Sequence, residues 1–190
     1  MAPLFISDIH FGHANALKFE DRGFASNVEE MDAELVRRIN AKGEPGDLLY
    51  VLGDLFYHNR DGYAIKMLKQ INKQIYLIKG NHDKFLRDPA ARKLLAGVDD
   101  YKEICVSLKD GMQKRVVCSH YFIPFYNGHR NGAIHLHGHS HASEEHELEK
   151  KMIRELNLKG YNIQSYNVGA IHQNFEPWYL DEILEKGQLS

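Results

Sequence analysis

Five short stretches of this chain end in residues that bind metal ions or move protons. Asp8-Ile9-His10 follows the run Phe5-Ile6-Ser7, and Gly53-Asp54 follows Leu48 to Leu52. Gly80-Asn81-His82-Asp83 follows Tyr76 to Lys79. Ser119-His120 and Gly138-His139-Ser140-His141 come later. Asp8 and His10 are two residues apart, as are His139 and His141, so in an extended segment each pair can face one way. Carboxylates mixed with imidazoles suit Mn, Fe, Zn or Ni better than Ca or Mg, which prefer shells of oxygen. More ligands are on offer than one ion needs, and two ions sharing a carboxylate would use them all. Two metals roughly 3.5–4 Å apart can clamp the attacking and leaving oxygens of a phosphoryl centre, and water between them becomes a hydroxide near neutral pH.

The elements that must position these groups follow from pattern. Pro3 to Ser7, Leu48 to Leu52 and Ile75 to Lys79 are strand-like, and the continuous apolar run of the second is that of a strand buried on both faces. Polar strand ends gathered at one edge are how an α/β sheet builds a site. Ser26-Asn27-Val28-Glu29 has the spacing of a capping box, so a helix is expected from about Val28. Val28, Met31, Leu35 and Ile39 give it one apolar stripe, and Gly43 ends it. A second helix is expected over Gly62 to Asn72. Phe85 to Ala96 is expected to be partly helical, with Pro89 starting or interrupting it. Glu103 to Leu108 and Lys114 to Ser119 flank Asp110-Gly111, a hairpin signal, so the sheet is not purely parallel. Ile134 to His137 and Ile163 to Val168 are further strands, and Leu180 to Gly187 is a closing helix. Ala142 to Gly160 is highly charged and reads as a surface excursion, helical in part on a weak stripe of Leu148, Met152, Ile153 and Leu156.

At the five blocks, taken in order, the sequence resembles the calcineurin-like metallophosphoesterases over most of its length. It is most similar to a small, cap-less bacterial and phage subgroup whose opening block appears here as Phe5, Ser7, Asp8, His10, Phe11, Gly12 and His13. The resemblance implies a single α/β domain over residues 1–190. It would be a four-layer α-β-β-α sandwich with two mixed β-sheets. It implies two divalent metal ions, with Mn first and Fe, Zn, Ni or Mg as alternatives. Asp8, His10 and His141 would hold one ion, Asn81, His120 and His139 the other, and Asp54 would bridge. His82 would contact the scissile phosphate and protonate the leaving oxygen, oriented by Asp83. Arg22 of Arg22-Gly23-Phe24, where relatives often have Arg-Pro-Phe, would grip a phosphate oxygen, and His13 is a candidate substrate contact. Phe122 stands where many relatives have proline. The implied activity is metal-dependent hydrolysis of phosphomono- or phosphodiesters by a metal-bridging hydroxide. A nuclease and a non-catalytic metal-bearing scaffold are the rivals.

Composition sets bounds on size, partners and compartment. The 190 residues, 43% hydrophobic, fill one core. The formal charge of −2 points to neither nucleic acid nor membrane as partner. The expected partner is a small phosphoester, a nucleotide among the candidates, and the sequence sets no oligomeric state. Two cysteines make no disulfide framework, and with no signal-like N-terminus the cytoplasm is the expected location. Outside the blocks, bland readings win. His58, His129, His146 and His172 read as ordinary polar residues, and His135 as structural. His137 reads as a neighbour of the ligand shell. Tyr121, Phe122, Phe125 and Tyr126 read as wall packing before nucleobase stacking. Cys105 and Cys118 read as two reduced, buried thiols.

Overall fold

The computed structural model describes residues 2–19, 22–58 and 62–187. Among these, nine strands form two sheets. The first contains β1 (Leu4–Ile6), β2 (Leu48–Val51), β3 (Gln74–Ile78), β4 (Gly97–Asp99) and β9 (Trp178–Tyr179), in the order β4-β3-β2-β1-β9. Its first four strands are parallel, and β9 runs antiparallel to β1. The second sheet is β5 (Tyr101–Ser107), β6 (Gln113–Ser119), β7 (Ile134–His137) and β8 (Ser165–Asn167), in that order. The β5–β6 hairpin is antiparallel, and the other pairs are parallel. Both sheets are therefore mixed.

The layering follows from strand periodicity, which sends alternate side chains to opposite faces. Leu4, Ile6, Leu49, Val51, Ile75 and Leu77 face outward from the first sheet, into a core shared with Ala16 of the short helix α1 (Ala16–Phe19) and with helices α2 (Val28–Ala41) and α3 (Tyr63–Leu68). Phe5, Tyr50, Leu52 and Ile78 face inward and meet Val116, Cys118, Ile134 and Leu136 of the second sheet. Each such side chain, fully buried, stabilises the fold by roughly 1.5–3 kcal/mol. The outer face of the second sheet packs Val117 against Ile153 of α5 (Glu144–Leu158). Leu180 and Ile183 of α6 (Leu180–Lys186) close the inter-sheet core. The α-β-β-α order is complete.

Several elements depart from the sequence reading. The cap of α2 is one residue later: Asn27 accepts from the Glu30 amide at 2.8 Å, and Glu30 reaches back to the Ser26 amide at 3.0 Å. Asn27 is as good a cap as serine, which is why the register slipped. The second helix covers only Tyr63–Leu68. Pro89 starts α4 (Pro89–Arg92), after a 3₁₀ turn over Lys84–Arg87, with Asp88 as its cap. The charged stretch forms the continuous helix α5, and its inward face carries His146, Glu149 and Ile153. Leu148 and Met152, assigned inward by hydropathy, are exposed. Both cysteines are free thiols, but Cys105 is exposed, and only Cys118 is buried.

Candidate metal centre

The carboxyl ends of β1, β2, β3, β6 and β7 meet at one edge, where their loops are bonded to one another. The Asp8 amide donates to the Gly53 carbonyl and the His10 amide to the Asp54 carbonyl, each at 3.0 Å. The Gly138 amide donates to the His120 carbonyl at 3.0 Å, and the His139 amide to Asp8 Oδ2 at 3.0 Å. Two glycines allow this closeness. A Cβ at Gly80 would collide with Asp54, and one at Gly138 with Ser7 and Asp8. Asp8, His10, Asp54, His139 and His141 all have left-handed backbone, with φ between 46° and 72°. Asp and His tolerate that region better than most residues.

Two groups of donor atoms result. Asp8, His10 and His141 lie within 4.8 Å of one another, and so do Asp54, His120 and His139. Asp54 of the second group also faces the first, its Oδ2 3.9 Å from His10 Nε2 and 3.6 Å from His120 Nε2. Asn81 Oδ1 lies 3.0 Å from His120 Nε2, on the side of the second group.

The donor chemistry fits cations. His10 Nε2 and His141 Nε2 are 3.3 Å apart. That is about the edge of a tetrahedron built on metal–nitrogen bonds of roughly 2.0–2.1 Å. Asp8 Oδ1 is buried without a hydrogen-bond partner, 3.8 Å from His141 Nε2. Burial first, then the charges of His141 and Arg22, lowers His10 to about 2, so its imidazole is neutral with a lone pair to give. His120 Nδ1 lies 2.8 Å from the Leu52 carbonyl. That contact calls for a proton on Nδ1 and leaves the Nε2 lone pair facing the site. Burial raises Asp54, and the neighbouring His120 opposes the rise. A cation would oppose it further.

His82 is fastened at the centre through its backbone, its amide donating to Asp54 Oδ1 at 2.8 Å. Its half-buried ring lies 5.6 Å from that of His10 and 5.4 Å from that of Tyr57. Asp83 does not hold that ring. Asp83 Oδ2 accepts from the amides of Asp54 (2.9 Å) and Gly80 (2.8 Å), and its Oδ1 from the Leu55 amide (2.9 Å). It ties the end of β2 to the end of β3. Burial pushes Asp83 up to about 7, while its three amide donors pull the other way by favouring the carboxylate. The expected role for Arg22 also changes. Its side chain is 1% exposed, and its guanidinium donates to the carbonyls of Ile9 (3.0 Å) and Asp8 (3.4 Å), 5.0 Å over Phe175. It braces the first loop from beneath and is not among the residues lining the cavity of about 310 Å³ beside His10, His82 and His141. His13 does face that cavity, alongside His10, His82 and His141.

Some supporting groups escaped the sequence reading. Asp32, buried on the apolar face of α2, accepts from the Gly12 amide (3.1 Å and 3.2 Å) and the Tyr63 hydroxyl. Glu149 of α5 accepts from Ser140 Oγ at 2.7 Å, and Asn167 donates to the same hydroxyl at 2.9 Å. His172 Nε2 lies 2.9 Å from the His141 carbonyl, with the His146 ring 4.6 Å behind. The only signal for these was a charge or an imidazole within an apolar period. Among the aromatics, Phe122 and Tyr126 pack into the core beneath α5, while Tyr121 and Phe125 are exposed.

Comparisons with known proteins agree with this geometry. An uncharacterized protein of Methanocaldococcus jannaschii is 34% identical over 97% of this chain and 92% of its own length. The UDP-2,3-diacylglucosamine hydrolase of Aeromonas salmonicida is 33% identical over 63% of this chain, which spans only 45% of that enzyme. A protein of unknown function from Aquifex aeolicus shares the fold, with a TM-score of 0.64 at 23% identity, covering 97% of this chain and 98% of its own. No described helix is long and apolar enough to cross a membrane. The family profile of the calcineurin-like phosphoesterases matches residues 1–174, and the chain belongs to that family.

Proposed function

We propose that this protein is a dinuclear metal-dependent phosphoesterase that hydrolyses phosphomono- or phosphodiesters, with Mn²⁺ as its first-choice ion. One observation carries the reading: Asp54, a member of one three-residue donor group, also faces His10 of the other, and His82 is bonded through its amide to the same carboxylate. Asp8, His10 and His141 hold the first ion. His120, His139 and Asn81 hold the second, and Asp54 is shared. When bound, the ions supply Lewis-acid activation of water and of the phosphoryl oxygens. The chain supplies the rest. Asp83 fixes the spacing of the Asp54 and Gly80 loops, and the Arg22 guanidinium supports the loop that carries Asp8 and His10. His82 gives a proton to the leaving oxygen. No described side chain hydrogen-bonds its imidazole, which leaves both ring nitrogens for substrate and solvent.

The test is turnover of p-nitrophenyl phosphate and bis-p-nitrophenyl phosphate by metal-stripped protein reloaded with Mn²⁺, Fe²⁺, Zn²⁺, Ni²⁺ or Mg²⁺. The reading expects activity restored by metal, with about two ions bound per chain at saturation. Degradation of single-stranded DNA in preference to small esters would move the assignment to a nuclease. Full metal binding with no hydrolysis of any ester would leave a scaffold.

A further inference from the structure

Tyr121 follows His120 just beyond β6, and it is 50% exposed. Its ring meets the His120 ring at 4.9 Å and 70°, and the His139 ring at 4.6 Å and 64°. Its hydroxyl donates to Asn81 Oδ1 at 3.4 Å. One side chain therefore touches Asn81, His120 and His139, which come from three different strand ends. The backbone beneath it is pinned. Ser119 Oγ donates to the Tyr121 carbonyl at 2.7 Å and lies 2.7 Å from His135 Nε2. With the Ser119 proton given to the carbonyl, the proton between Ser119 and His135 belongs to Nε2. His135 Nδ1, 2.8 Å from Ser165 Oγ, then accepts from that hydroxyl. Three buried side chains, each satisfied by the next, thus fix the loop from which Tyr121 projects.

We propose that Tyr121 is a positioning residue for the second ion, holding Asn81, His120 and His139 in the arrangement that ion needs. The proposal rests on the assignment of those three residues to the second ion. Asn81 is the weak member of the set. It is neutral, its side chain rotates, and its amide can present nitrogen, which does not ligate, in place of oxygen. A hydroxyl donating to Oδ1 engages one lone pair of that oxygen and leaves the other for the ion. Asn81 Oδ1 also lies 3.0 Å from His120 Nε2, whose lone pair faces the site. Without a cation these two acceptors repel, and Tyr121 restrains both, one through its hydroxyl and the other through its ring. A ligand held from outside the coordination shell gives up less freedom when the ion binds.

The experiment titrates the full metal-free chain with Mn²⁺ by calorimetry, as wild type, Tyr121→Phe and Tyr121→Ala. Loss of the hydroxyl should weaken one binding step about threefold, and loss of the whole ring about tenfold or more. The other step should stay within about twofold of wild type. In an Asn81→Ala background, adding Tyr121→Phe should change neither step, because the hydroxyl has already lost its acceptor. Both Tyr121 variants, metal-free, should unfold at about the wild-type urea midpoint, as an exposed residue allows. Equal affinities in wild type and Tyr121→Ala would overturn the positioning role and leave the dinuclear reading intact. An effect of Tyr121→Phe that persists at full size in the Asn81→Ala background would do the same. A wild type that binds one ion or none would overturn both.

Discussion

Replacing Asp83 by alanine removes one carboxylate and strands three backbone amides. In the native fold its two oxygens accept from Asp54, Leu55 and Gly80 at 2.8–2.9 Å, and the residue is 6% exposed. A buried donor left without an acceptor costs about 1–3 kcal/mol, so three would cost about 3–9 kcal/mol. Two effects favour the low end. Burial already penalises this carboxylate, pushing it up to about 7, and that penalty disappears with the side chain. The loops can also relax towards water. The expected loss is about 3–5 kcal/mol, which for a chain of this size lowers Tm by about 6–20 °C at 2–4 °C per kcal/mol. The same change lets the β2 and β3 ends drift apart, so affinity at both metal positions should fall as well. Asp83→Asn keeps one acceptor and should lie between. Urea unfolding of metal-free protein gives the stability, and elemental analysis after dialysis gives the metal content. If Asp83→Ala unfolds within about 0.5 kcal/mol of wild type, as an exposed substitution would, and binds two ions yet loses activity, the bracing role is refuted. Asp83 would then act through His82 instead.

Other outcomes follow from the same geometry. His82→Ala should keep its metals and lose about 10²–10⁴ in rate, most for esters whose alcohols leave poorly; a variant that arrives without metal contradicts the role given to His82. Asp54→Asn should weaken both positions together in a titration followed by calorimetry, because the shared carboxylate loses its charge, and loss at one position alone would deny the bridge. The contribution of the two buried histidines of β7 to the stability of metal-free protein should fall as pH drops below about 6.5. Burial holds His137 down to about 4 and His135 well below its ordinary value, so the unfolded chain takes up these protons while the native one does not. Each ring then contributes about 1.4 kcal/mol per pH unit, or about 3 kcal/mol for His137 between pH 6.5 and 4. Asp83, pushed up to about 7, works the other way over the same range, so the check is a comparison: a urea midpoint with the same pH dependence from pH 7 to pH 5 in wild type and in His137→Gln would contradict this.

The candidate metal ligands were legible because their chemistry recurs at strand ends, and strands are visible as apolar runs. Leu48 to Val51 reads as a two-faced strand and is one, with Leu49 and Val51 on one face and Tyr50 on the other. What sequence could not yield was the direction of a side chain after a turn. Asp83 follows His82 directly and suggests an imidazole partner, yet the chain carries it inward to the amides. Arg22 suggests a phosphate, yet it is swallowed beneath the loop it supports. Helix α5 was half-missed for a related reason: the residues it buries include His146 and Glu149, and a hydropathy period cannot see a polar face that is satisfied by Ser140.

The left-handed bends at Asp8, His10, Asp54, His139 and His141 have a bearing on when the pocket takes shape. Such a conformation costs roughly 1–2 kcal/mol at each residue with a side chain. Here neighbouring strands impose it: the amides of Asp8, His10 and His139 are each bonded to a partner loop before any cation arrives. An incoming ion therefore meets ligands already aimed, and its binding need not reorganise the chain. Unlike a zinc finger, which is shapeless until metal collects its ligands, this protein should fold empty and then fill.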